Sequence, residues 1–344
     1  MSSHPPSASM TITLSTAEDS YPPYMVEEDT EKARAESVTP GLDKHSKRRQ
    51  PRVLTFYRSM SWMLGFRDKY SLFNCFVWGG ALFGFCLARA MAMNPGRTPH
   101  LLVPGEWFWL SQSIYKPNLF IHIYLATFGG IGALFQFLPV IRRRKVILHR
   151  INGYAVLFCL IVAVACGSVI ARRSFGGEAN SQSSYYVQAI MIIYAALMGI
   201  YNVKKDTRRH RKWMLRMVTY FASVLTARLI ALPARAIMTV IGTYYTVWRC
   251  DEVINLLRAP ETIQGSFPQC TSGINPADVY VAVHASTRDL PLHVASAARA
   301  AQGMALWIAI VIHIIGVEFY IFQTDAANQV RLNFALEPRD FTQN

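Results

Sequence analysis

Residues 122–154 set the terms for the whole chain. The apolar run HIYLATFGGIGALFQFLPV ends in the basic run IRRRKVILHR, and INGYAVL then opens another apolar run. This pattern predicts a transmembrane hairpin: one helix leaving the bilayer, a short positive turn, and one helix re-entering. The turn carries Arg142, Arg143, Arg144, Lys145 and Arg150 and no acidic residue, which assigns it to the cytosol because loops rich in Lys and Arg stay on that side. With the turn placed, every other apolar run acquires a direction.

Of the 344 residues, 52% are hydrophobic and 16% charged, and mean hydropathy is +0.19. An average soluble domain carries about 25% charged residues. The formal charge of +14 raises the question of nucleic acid, but its distribution argues for membrane topology. Twenty of the 35 basic residues fall in three stretches, residues 44–69, 142–150 and 204–216, each beside an apolar run. A nucleic-acid groove would interleave such charges with stacking aromatics along one surface, whereas these charges are packed at the boundaries of apolar runs. No nucleic-acid partner is expected.

Taken in order, residues 1–55 read as a disordered cytosolic tail of Ser, Thr, Pro and charge. It lacks the apolar segment of a secretory signal. YPPY at residues 21–24 is an ordinary feature of such a tail. Residues 56–66, FYRSMSWMLGF, read as an amphipathic interfacial helix. The transmembrane domain, 56–323, is assigned spans at about 70–93, 119–140, 153–171, 185–203, 213–240 and 300–322. Trp107, Phe108 and Trp109 suit an interfacial belt, and GGIGA at 129–133 offers a face for close helix contact. Pro233 predicts a kink or tilt in the fifth span. Residues 242–299 form a long luminal or extracellular loop, in which 277–286 alternates like a strand or a short helix. Residues 324–344 are a cytosolic tail. The result is an all-α, polytopic transmembrane helical bundle of about six spans with both termini cytosolic, in an endomembrane or the plasma membrane.

Cysteine usage follows this layout. Cys75, Cys86, Cys159 and Cys166 lie inside apolar runs as small hydrophobes. Cys250 and Cys270 share the long loop and are expected to form a disulfide on the oxidising side. No C-x-x-C pair or zinc spacing occurs, and no metal is expected.

Ionisable residues at membrane depth are costly and usually face a bundle interior or cavity. They sort into two layers. His149, Arg150, His210, Arg211, Arg216 and Glu318 lie near the cytosolic face, with His313 deeper; Arg89, Glu106, His122, Arg228 and Arg235 lie toward the outer face. Arg89 reads as a snorkelling anchor, and Arg150, Arg211 and Arg216 as topology anchors. Arg228 is different, because it lies roughly 22 Å into its span at helical rise, too deep for a cytosolic anchor. Arg235, seven residues on, shares its helix face. Arg228, Arg235 and His122 are therefore candidate substrate-binding residues. His149, His210 and Glu318 are candidate acid–base groups near neutral pH. His149 and His210 are also the one pair at a common level that would ligate a haem b; His122 and His313 differ too much in depth to form a second.

PGEWF (104–108), GALFQFLP (132–139), HRINGY (149–154), HRKWMLR (210–216), Arg228 and GVEF with Glu318 occur in this order. Together they resemble a predicted integral membrane protein family of bacteria and fungi whose function is unknown, over about residues 70–323. That resemblance implies a membrane fold and no activity. The 242–299 insertion departs from the shorter outer loops of the family.

The leading functional expectation is a membrane protein that binds or converts an amphipathic, lipophilic small molecule with an anionic head. The alternatives are a haem-b transmembrane redox protein and a transporter or passive scaffold. HRINGY and HRKWML, each opening an odd-numbered span, form a weak internal echo of the kind found in transporters.

Overall fold

Six helices of the computed structural model are long and apolar enough to cross a membrane: Leu72–Met93, Tyr115–Gln136, Val146–Ala171, Ala179–Asn202, Thr207–Ile241 and Pro291–Asp325. We number them spans one to six. The structure describes residues 52–66, 71–288 and 290–331. The spans belong to one compact unit beginning at Val53. The protein is thus a multi-pass integral membrane protein. Many of its large apolar side chains point outward along the helices, among them Phe76, Phe128, Phe158, Leu232 and Phe319. That arrangement suits hydrocarbon solvent, where the backbone must satisfy itself internally while side chains need not hide from water.

Several expected boundaries move outward because a helical hydrogen-bond ladder continues beyond the apolar run, whereas span two stops at Gln136, short of the expected 140, and Pro139–Arg144 forms a short helix of its own. Span five begins at Thr207, where the Asp206 carboxylate accepts the N–H groups of Arg208 and Arg209 at 2.9 and 3.0 Å. Such a cap satisfies donors that a helix start leaves open. Span five then runs unbroken through Pro233 to Ile241 and stops at Gly242, whose φ of 72° ends it with a left-handed residue. The last helix runs from Pro291 to Arg331, so the expected tail begins as helix, and residues 332–344 lie outside the described residues. Residues 1–51 of the expected N-terminal tail also lie outside them, and 52–55 already belong to the helix Arg52–Leu64. That helix buries no residue, and Phe56 and Trp62 are exposed on it. It sits beside the turn between spans two and three, where Arg143 donates to the Gly65 carbonyl at 3.4 Å.

Spans two and three pack as a tight hairpin, spans five and six as a second pair, and span four lies against both. The close approach depends on glycine. A Cβ on Gly129 would stand 2.8 Å from Leu160 of span three, and one on Gly130 would stand 2.6 Å from Cys86 Sγ of span one. The GGIGA face thus serves two neighbours at once, with only van der Waals packing to drive association in lipid. The central core joins Ala133, Leu160, Ile192, Ala195 and Met217 from spans two to five.

The expectation of an all-α chain needs one amendment. The long loop folds into a cap containing a two-stranded antiparallel sheet, β1 (Tyr245–Arg249) and β2 (Tyr280–His284), with Tyr245 opposite His284 and Arg249 opposite Tyr280. Alternation along 277–286 therefore reports a strand. Trp248, Val281 and Val283 face inward and pack with Val253, Phe267 and Leu292 into a core of their own. The Cys250–Cys270 disulfide closes this core, as expected. A cross-link spanning about 20 residues stabilises by roughly 3 kcal/mol through the unfolded chain. Arg299 of span six and Glu252 of the cap form a buried ion pair, with the Arg299 guanidinium 3.2 Å from the Trp248 ring centre.

Candidate functional site

At the cap end of the bundle a groove of about 440 Å³ opens between spans one, five and six and the loop 101–104. Three arginines line it: Arg89 from span one, Arg228 and Arg235 from span five. The other walls are apolar, with Phe85 and Leu232 from the spans and Leu101, Leu102 and Pro104 from the loop. Arg228 and Arg235 share a face because seven residues make nearly two helical turns, about 10.5 Å along the axis. A smaller recess of about 20 Å³ continues inward past Arg228 and Arg235 to Phe175, Ala298 and Gln302.

Among the described residues, no carboxylate lies within ion-pairing distance of Arg89, Arg228 or Arg235. Arg235 donates to the Ala231 carbonyl at 3.2 Å. Arg228 lies over the Phe175 ring at 5.0 Å and Arg89 over Phe85 at 5.8 Å. The three cations also act on one another, since Arg228 is within electrostatic reach of both Arg89 and Arg235. Three guanidinium groups without an ion-pair partner in a largely apolar setting are costly without an anion.

The floor of the site is built from the turn between spans three and four. Phe175 adopts φ 51°, followed by Gly176 and Gly177 at φ 78° and 67°. A left-handed non-glycine residue costs about 1–2 kcal/mol, so it persists only where surroundings hold it. Here the Phe175 N–H donates to Glu106 at 2.8 Å, and Val103 N–H reaches the same carboxylate at 3.3 Å. Burial pushes the Glu106 carboxyl up, against the opposing pull of these N–H groups and of Arg228 and Arg299. Behind the recess Gln302 donates to the Tyr185 hydroxyl at 3.1 Å.

The expected site residues separate. Arg228 and Arg235 line the groove. His122 does not; its Nδ1–H donates to the Ala163 carbonyl at 2.7 Å, linking spans two and three. Its depth matched the arginines, but its helix face points elsewhere. At the opposite end, His210 Nδ1–H donates to the Gly199 carbonyl at 2.7 Å. Glu318 accepts two bonds from Arg216, at 2.6 and 2.7 Å. Lys212 and Arg208 both pair with Asp325. His149 Nδ1 is buried with no hydrogen-bond partner among the described residues, and His149 lies within electrostatic reach of His210. No hydrogen bond joins His149, His210 and Glu318 to one another. The helices bearing His149 and His210 pack chiefly on span four and their hairpin partners rather than on each other. His313 bridges spans five and six, donating to the Thr219 carbonyl at 2.7 Å and accepting from the Thr226 hydroxyl at 2.8 Å.

Sequence reasoning assigned Arg89 to the lipid headgroups and gave no role to Phe175. The position of Arg89 at the end of an apolar run fits an anchor equally well, and only its neighbours across the bundle reveal the cluster. For Phe175 no signal in the sequence marks the strained turn.

Residues 119–259 match a family described as Predicted membrane protein (DUF2306). That segment holds most of span two, spans three to five with Arg228 and Arg235, and part of the cap. The chain is also similar to Ava biosynthesis cluster protein G of Aspergillus versicolor, 23% identical over 267 residues, covering 64% of this chain and 78% of the relative. No solved structure matches the chain.

Proposed function

We propose that this multi-pass membrane protein binds an amphipathic anion, with its head among Arg89, Arg228 and Arg235 and its apolar part along Phe85, Leu101 and Leu232. One observation carries the reading: three arginines without a carboxylate partner among the described residues converge on a groove with otherwise apolar walls. Pockets for small molecules usually combine mostly apolar lining with a few convergent polar groups. The basic turns at 142–150 and 204–216 orient the chain with that end in the cytosol, which puts the groove and the disulfide-closed cap on the luminal or extracellular side.

The test uses the full chain in lipid nanodiscs and a fluorescent dansyl fatty acid as probe. Saturable binding is expected, displaced by tetradecanoate or tetradecyl phosphate but not by tetradecanol. The Arg228→Ala/Arg235→Ala protein should bind at least about tenfold more weakly, a loss of about 1.4 kcal/mol. Equal displacement by the alcohol, or unchanged binding in the double variant, overturns the reading.

A further inference from the structure

We infer that the groove selects a phosphate head, a dianion carried on an apolar chain, over a monoanionic carboxylate. This rests on the anion-binding reading above and narrows it.

The first argument is charge. Three guanidinium groups meet in the groove, and the acid acting electrostatically on Arg228 from behind is the buried Glu106. One ionised carboxylate against three cations leaves two positive charges to be matched, and a protonated Glu106 leaves three. A fatty carboxylate supplies a single negative charge and would leave the rest in the groove without a counterion. An alkyl phosphate supplies up to two at neutral pH, since its second ionisation falls near pH 6.

The second argument is geometry. A guanidinium offers a planar fork that grips two oxygens at once, and one fork is enough for a carboxylate. Here the forks come from two sides, Arg89 on span one and Arg228 with Arg235 on span five. Three forks approaching from two sides fit a tetrahedral group with three terminal oxygens better than a planar one with two. Arg235 commits its Nε to the Ala231 carbonyl, which fixes the stem and leaves its terminal nitrogens for a ligand. Arg228 rests on the Phe175 ring, a contact that orients a guanidinium without neutralising it.

The third argument concerns the chain. The apolar walls Phe85, Leu101, Leu102 and Leu232 continue directly from the arginines. Phe85 and Arg89 are four residues apart on one helix face. Leu232 is 57% exposed on the outer surface of span five, the surface that meets lipid. An alkyl tail therefore has an uninterrupted apolar path from the cation cluster toward the bilayer. A free phosphate would use the head site and leave that path unused.

Binding of tetradecyl phosphate, tetradecanoate and inorganic phosphate to the full chain in nanodiscs tests this, read by displacement of the dansyl fatty acid. Tetradecyl phosphate is expected to bind at least about tenfold more tightly than tetradecanoate, about 1.4 kcal/mol. Arg89→Gln should weaken both amphiphiles but tetradecyl phosphate by the larger factor, so that most of the preference is lost, because a dianion with three terminal oxygens loses more from a missing fork than a monoanion does. Inorganic phosphate at the same concentration should displace no probe. Equal affinity for the two amphiphiles overturns the phosphate inference and leaves anion binding standing. Failure of both amphiphiles to bind overturns anion binding itself. Displacement by inorganic phosphate alone overturns the requirement for a chain.

Discussion

Glu106 accepts the backbone N–H of Phe175 at 2.8 Å, and this bond joins the outer loop ahead of span two to the turn between spans three and four. The turn holds Phe175 in a left-handed conformation with its ring beneath Arg228. A buried carboxylate behind the groove thus sets the floor on which one of its three arginines rests. The bond is buried, so losing it leaves an unsatisfied N–H, a cost of about 1–3 kcal/mol.

Glu106 should make stability depend on pH in an identifiable direction. Its carboxyl is raised by burial, so the folded protein holds the proton more tightly than the unfolded chain does. Stability from this group is fully present below the ordinary carboxylate range and is lost as pH rises through the folded-state value. Glu106→Gln removes that titration and should flatten the decline. It should also lower the unfolding temperature near neutral pH, since one amide oxygen replaces two carboxylate oxygens serving Phe175 and Val103. Thermal unfolding in detergent across that range, wild type against variant, measures both effects. Parallel curves would show that Glu106 contributes no pH dependence.

The Arg299–Glu252 pair should act as a unit. Arg299 is 3% exposed and lies over Trp248, so removing it strands a carboxylate inside the cap. Arg299→Met is expected to cost about 3–5 kcal/mol. Adding Glu252→Gln removes the stranded charge and should restore at least about 1 kcal/mol, because residues in one ion pair are not additive. Chemical unfolding of the two variants decides it; a double variant weaker than the single one refutes the coupling.

Gly130 faces Cys86 so closely that a methyl group there would lie 2.6 Å from sulfur. Gly130→Ala should therefore destabilise by about 1–3 kcal/mol through overpacking. In a Cys86→Ala background the obstruction is gone and the better helix propensity of alanine, about 1 kcal/mol, should make the same change neutral or stabilising. The comparison reads directly from four unfolding temperatures. An equal loss in both backgrounds would mean that span one does not constrain span two at this level.

The sequence alone determined the membrane fold, the number of spans and the disulfide, because these follow from quantities that are local along the chain. Hydrocarbon thickness demands about 20 apolar residues per helix, and six such runs are countable. Cys250 and Cys270 shared a loop with no other cysteine. Depth was legible as well, which is how Arg228 stood out from the anchoring arginines. What the tertiary structure decided was direction around each helix and company across the bundle. His122 and Arg228 lie toward the same face of the membrane, yet one closes a backbone bond to Ala163 and the other opens into the groove. His149, His210 and Glu318 share a level and do not meet in a bonded network, because Arg216 engages Glu318 and the Gly199 carbonyl engages His210. Arg89 joins Arg228 and Arg235 across 139 and 146 residues of chain, a distance over which pattern in sequence carries no information. Depth is a one-dimensional property of a helix in a bilayer. Which residues face each other is set by packing, through contacts such as Gly130 against Cys86, and only the folded bundle contains it.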